Sequence, residues 1–269
     1  MGFNSKIEWT THTFNPWWGC TKVSDGCKFC YAEALAKRYG HRVWGPLAQR
    51  RAMSDLHWKE PLKWNGQASR RGLRSRVFCA SMADVFDGSA PPGQLHRLWE
   101  LIRQTPSLDW QLLTKRPQRI AESLPEDWGS GYFNVWLGTT VEDAQVLGRI
   151  SDLVAVPAVV HFLSLEPLIG SLRNVPLREI DWVIVGGESG PHARPMQKSW
   201  VMEIYTQCRD AGVPFFFKQW GGPNKNRAGR TLDGRLYSEM PYITARSVEN
   251  NSLRGLPGSC QSQGDPMRS

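Results

Sequence analysis

The segment NVWLGTTVED (134–143) decides the fold. Val135 to Gly138 are apolar or small with no polar residue at alternate places, and the run then turns abruptly polar at Thr139, Thr140 and Glu142. A strand with one wet face alternates, whereas a strand covered on both faces does not. The segment therefore predicts a strand inside a parallel sheet, with chemically useful side chains at its carboxyl end.

The same design recurs on either side. Upstream stand RVFCASMADVFDG (76–88) and DWQLLTKRP (109–117); downstream stand VVHFLSLEPL (159–168), DWVIVGGESG (181–190) and VPFFFKQWGG (213–222). Helical periods fall between them. Leu95, Leu98, Trp99 and Ile102 follow spacings of three and four, and SWVMEIYTQCRDAG (199–212) runs from a Ser cap to a terminal Gly. Strand and helix in alternation predict an α/β partial barrel of about six parallel strands.

The barrel is expected to occupy residues 1–242 as one domain, with 40–75 as an insertion of short helices. Residues 243–269 are polar and unpatterned, and a disordered tail is expected there.

In βα folds the loops at the carboxyl ends of the strands converge on one pocket. The early strand ends offer Ser81, Asp84, Lys115 and Arg116. The middle ones offer Thr139, Thr140, Glu142 and Ser164, and the late ones Glu166, Glu188 and Lys218. Glu166 and Glu188 have a plainer reading as ion pairs with arginines, and Lys218 as a side chain reaching the rim. GGESG (186–190) lacks the third glycine and the lysine of a nucleotide loop. His96 and His161 read as ordinary helix and strand residues.

The formal net charge is +8 over 269 residues, which suits an anionic partner such as nucleic acid. Much of the excess lies in RRGLRSR (70–76) and KNRAGR (225–230). The first residues carry no apolar leader, and Lys6 spoils a myristoylation pattern. A soluble, cytoplasmic protein without membrane contact is expected.

Of six cysteines, Cys79, Cys208 and Cys260 are scattered and read as free thiols of a reducing compartment. Cys20, Cys27 and Cys30 cluster in NPWWGCTKVSDGCKFCYAEALAKRYG (15–40), ahead of a helical run. Tetrahedral zinc takes four ligands, so a zinc site would need His12 or His41 as well. A [4Fe–4S] cluster held by three thiolates instead keeps one iron open, and S-adenosylmethionine can fill that position through its amino and carboxylate groups. Both readings stand on spacing alone.

The Cys-x6-Cys-x2-Cys start, with Phe29 before the third cysteine, resembles the radical S-adenosylmethionine superfamily. More closely, FNPWWGCTKVSDGCKFCYAE, SMADVF, LLTKRP, LGTTVED, FLSLEPL and FFFKQWGG resemble a phage- and bacterium-encoded three-Cys-motif family. The departures are a first spacing of six residues where three is usual, and no Gly-Gly-Glu on the second strand. Ser81 and Asp84 stand there instead, as in some spore photoproduct lyase relatives.

The resemblance implies a role for each matching position. Cys20, Cys27 and Cys30 would ligate iron, and Phe29 would pack on adenine. Asp84 with Ser81 would take the methionine ammonium, Lys115 its carboxylate, and Thr139 and Thr140 the ribose. Apart from the resemblance, Glu166, Glu188 and Lys218 are expected from their strand-end places as the catalytic residues on the substrate side. The implied activity is generation of a 5′-deoxyadenosyl radical, with flavodoxin or ferredoxin as electron donor. Charge and the family's phage association point to a nucleic acid base or nucleotide as substrate. From another class, the alternative is a non-catalytic nucleic-acid-binding protein stabilised by zinc or a cluster.

Overall fold

The computed structural model describes residues 5–224 and 228–242. The expected tail, Cys260, and part of the 225–230 basic run lie outside them. Seven strands form one sheet: β1 (His12–Phe14), β2 (Ser75–Cys79), β3 (Leu108–Thr114), β4 (Val135–Thr140), β5 (Val160–Leu165), β6 (Trp182–Gly186) and β7 (Phe215–Gln219). Every neighbouring pair is parallel, and spatial order equals chain order. With no reversal in that order there is no switch point, so this is not a doubly wound sheet.

The sheet curls. The Trp9 ring lies 4.7 Å from Phe78 on β2 and 6.0 Å from Trp182 on β6. In a flat sheet, strands four places apart would be separated by about 19 Å. Trp9, Phe78, Trp136, Phe162, Trp182 and Phe216 thus fill the inside of a partial barrel. Gly138 makes room for one of them, since a Cβ there would stand 2.4 Å from the Phe162 ring. The alternate residues, such as Val77, Leu137, Leu163 and Phe217, face the outer core.

Among the described residues, the α-helices longer than four residues are α1 (Tyr31–Arg38), α2 (Glu60–Arg70), α3 (Gln94–Gln104), α4 (Arg149–Val154) and α5 (Lys198–Ala211). α3 buries Leu98, Trp99, Leu101 and Ile102, the face its periodicity predicts. α5 ends at Gly212, whose φ of +68° stops the helix. Among the described residues no helix is long and apolar enough to cross a membrane.

Six strands were expected and seven are present. The extra one, β1, is three residues long and carries Thr13 and His12, so it lacks an apolar run to announce it. The 40–75 segment is more integral than an insertion of short helices. Arg51–Ala52 pairs antiparallel with Trp17–Trp18, and α2 is 11 residues long. Its Trp64 stacks on His12 at 4.5 Å, and Trp58 meets Phe14 edge-on at 5.2 Å. Beyond β7, the Phe217 N–H donates to the Tyr237 carbonyl and the Glu239 N–H to that of Phe215, so residues 237–239 lie along the last strand.

Candidate functional site

The polar inner residues gather where the aromatic plug stops. A cavity of ≈ 400 Å³ opens past the carboxyl ends of the strands, floored by Trp9, Phe78 and Leu113. Cys20, Cys27 and Cys30 all line it, as do Phe29, Ser81 and Lys115. Asp84, Arg116, Thr140 and Ser164 continue the wall, and Glu166, Glu188 and Lys218 complete it. Of the strand-end residues expected there, Thr139 and Glu142 are absent from the lining.

Thr139 is excluded by pleat. Successive side chains alternate faces, so Thr140 shares the inner face with Trp136 while Thr139 points outward with Leu137. It is fully buried and its hydroxyl donates to the Thr114 carbonyl at 3.0 Å. The ribose reading therefore fails for Thr139 and is left to Thr140.

The cysteine loop is strapped down by residues past the ends of β3, β4 and β6 and by Arg50. Arg116, just past β3, donates Nη2–H to the Thr21 carbonyl at 2.7 Å and Nη1–H to the Cys20 sulfur at 3.6 Å. Arg50 bonds the Thr21 hydroxyl at 2.7 Å, pairs with Asp87, and caps the carbonyls of Val43, Gly45 and Ala48. Glu142, past β4, accepts from Ser24 Oγ at 2.6 Å and from Arg149 at 2.7 Å. A Cβ at Gly26 would stand 2.3 Å from that carboxylate, so only glycine lets the loop lie on Glu142. Arg194 forks onto Glu188 and reaches the Asp25 carbonyl at 2.9 Å.

These bonds revise two expectations. Asp84 accepts from the Phe86 and Lys115 N–H groups, the Thr114 hydroxyl and Arg116 Nη1. With those positions filled it holds Arg116 beside Cys20 and offers no free oxygen to an ammonium. Glu188 is the ion pair of the plainer reading, fixing the 188–194 loop. Glu166 and Lys218 pair with each other at 2.7 Å, at the cavity wall.

Gly187 and Gly221 serve a backbone crossing: a Cβ on Gly187 would come 2.0 Å from the Trp220 carbonyl oxygen. GGESG is a packing device. Lys115 keeps more freedom, its Nζ 4.0 Å from Glu142.

The thiols differ in setting. Burial, with Asp84 adding, pushes the Cys20 pKa up to about 11 against the opposing pull of Arg116. Burial also raises Cys30, while the N–H groups of Glu33 and Ala32 at the start of α1, and Lys115, favour its thiolate. Among the described residues no three His, Cys, Asp or Glu side chains are grouped as a single metal ion would hold them. His12 stacks on Trp64, and His41 packs edge-on against Trp18 at 5.6 Å. Neither lines the cavity, so neither completes a zinc site there.

Sequence reasoning missed Arg50, Arg194 and Tyr31. Tyr31 is half exposed, yet its hydroxyl donates to the Ser81 carbonyl at 2.8 Å; burial of that hydroxyl raises its pKa. Its place directly after Cys30 was the available signal. Arg50 and Arg194 sit in stretches without any periodicity.

Fold and site together define an α/β partial barrel with a three-cysteine loop clamped over its carboxyl ends. The chain belongs to the family described as protein of unknown function DUF5131, whose model matches residues 4–241. No curated protein matches it. Among solved structures it is similar to spore photoproduct lyase complexed with dinucleoside spore photoproduct, at 12% identity and TM-score 0.49, over 94% of this chain and 75% of that one. A mutant of that lyase with bound AdoMet and dinucleoside spore photoproduct gives 11% identity and TM-score 0.46, over 94% and 77%.

Proposed function

We propose that this protein is a radical S-adenosylmethionine enzyme that acts on a nucleic acid base or nucleotide. One observation carries the reading: three thiols from a single loop line one cavity with an unclamped lysine, Lys115, and a further charged pair, Glu166–Lys218. The donor set fits a [4Fe–4S] cluster, which is held by Cys thiolates, each on a different iron. When bound and reduced, such a cluster cleaves S-adenosylmethionine to supply a 5′-deoxyadenosyl radical.

The residues divide the remaining work. Cys20, Cys27 and Cys30 hold the cluster. Arg116 donates toward the Cys20 sulfur and offsets the negative charge that three thiolates bring. Lys115 attracts the methionine carboxylate, and Ser81 at the cavity wall faces the ammonium. Phe29 and Thr140 offer an apolar ring and a hydroxyl to the nucleoside. Glu166 and Lys218 position the substrate, and the aromatic floor keeps water from beneath.

The test is anaerobic reconstitution with iron and sulfide, then incubation with S-adenosylmethionine and a reductant. Near-stoichiometric cluster and formation of 5′-deoxyadenosine are expected. A protein that takes up only zinc, or that retains full iron in Cys27→Ala, refutes the assignment.

A further inference from the structure

A second cavity, ≈ 510 Å³, adjoins the first along the outer side of α1. Lys22, Phe29, Cys30, Tyr31 and Ser189 line both, so only these side chains lie between the two. The charges of the outer part are lopsided. Four cations, Lys22, Lys28, Lys37 and Arg38, face one carboxylate, Glu33. Glu33 is shared between Lys22 at 2.8 Å and Lys37 at 2.7 Å. Lys28 and Arg38 are exposed and, among the described residues, have no carboxylate partner.

Rings are interleaved with these cations. Lys28 and Arg194 each lie 5.4 Å from the Phe29 ring, and His192 packs against it at 5.7 Å. Tyr31 is 53% exposed at the junction of the two cavities. Cations tracking a groove with aromatic faces between them are what a single nucleic acid strand requires: phosphates meet the charges and bases stack on the rings. An acidic protein surface would answer the lysines but leave the rings unstacked. A base must leave the stack to reach the inner cavity, and a single strand presents it without the cost of flipping it out of a duplex.

Building on the function proposed above, we infer that the outer cavity is the entry groove for single-stranded nucleic acid. The backbone runs past Lys28 and Arg38, and the target base passes Tyr31 into the inner cavity. RRGLRSR (70–76), the strongest basic run in the sequence, is excluded from this role. It closes α2 and opens β2, which puts it at the amino ends of the strands, away from both cavities.

The test is fluorescence anisotropy of a labelled single-stranded oligonucleotide of mixed sequence, titrated with the full chain from about 50 to 200 mM salt. Lys28→Ala combined with Arg38→Ala should reduce the slope of log affinity against log salt by about 1.4, for two lost phosphate contacts. Arg70→Ala with Arg71→Ala should leave it unchanged. No binding by the unaltered protein, or an unchanged slope in the Lys28/Arg38 variant, overturns the groove. So does binding of flavodoxin in place of the oligonucleotide, lost in that same variant. Iron and sulfide assayed on the same preparation keep the two proposals apart: a protein without cluster that still binds through Lys28 and Arg38 supports the groove and refutes the chemistry.

Discussion

The two ends of the sheet carry similar charges and use them differently. At the amino ends Arg74 forks onto Asp109 at 2.8 and 2.6 Å and also donates to the Pro106 carbonyl. That cation is answered where it stands, over a barrel packed with rings. At the carboxyl ends the ion pairs surround open space, and Arg116, Arg194 and Glu142 are anchored to the cysteine loop. The lesson is that a basic run in sequence says little until its counter-charges are placed. Of the conspicuous arginines, Arg74 is tied into the structure, and the less conspicuous Lys28 and Arg38 border the outer cavity.

The sharpest way to break this contrast is at the cysteines. Cys20→Ala, Cys27→Ala or Cys30→Ala should each abolish iron retention, while Cys79→Ala and Cys208→Ala, both buried away from the cavity, should keep it; iron per chain is the measurement. Next in size is Arg116→Gln, which leaves Asp84 buried without its cation, while Asp87 keeps Arg50. Breaking a buried pair from one side costs about 3–5 kcal/mol, read from the denaturation midpoint.

Lys115→Ala should keep its iron and lose about ten- to a hundredfold in S-adenosylmethionine affinity, the worth of one charge-assisted hydrogen bond. Lys218→Ala, on the substrate side, should spare that affinity. Equilibrium binding to the reconstituted protein distinguishes the two.

Iron loading should also depend on pH. With burial holding Cys20 near 11 and raising Cys30, these ligands start as thiols and lose protons on binding. Apparent affinity should climb by about 1.4 kcal/mol per pH unit for each proton released between pH 7 and 9. A pH-independent affinity would mean thiolates formed in advance. Smallest of all, Arg74→Ala at the other end should cost about 1 kcal/mol or less, because its side chain is 40% exposed.

Much of this was legible in the sequence, for identifiable reasons. Strands covered on both faces read as unbroken apolar runs, and their ends marked the cavity wall apart from Thr139 and Glu142. Thr139 and Thr140 show where that reading stops: adjacent in sequence, they part because a strand alternates faces, and an unbroken run hides which is which. β1 stayed hidden because three residues, two of them polar, carry no pattern. Asp84 was read as a ligand for an ammonium because its partner, Arg116, lies 32 residues away in sequence. Arg50 was unreadable, since its worth lies in carbonyls that only the folded loop presents.

The chain running along β7 has a practical consequence for how far the protein can be shortened. Residues 237–239 occupy the outer hydrogen-bonding groups of the strand that carries Phe215, Phe216 and Phe217, and the Glu239 carboxylate accepts the Phe215 N–H at 2.9 Å. The Glu239 carbonyl also receives the Trp182 indole N–H at 2.9 Å. A chain ended before Tyr237 would bare a phenylalanine-rich edge, a ready template for pairing with a second copy and for aggregation. One ended after Tyr242 would keep that edge shielded.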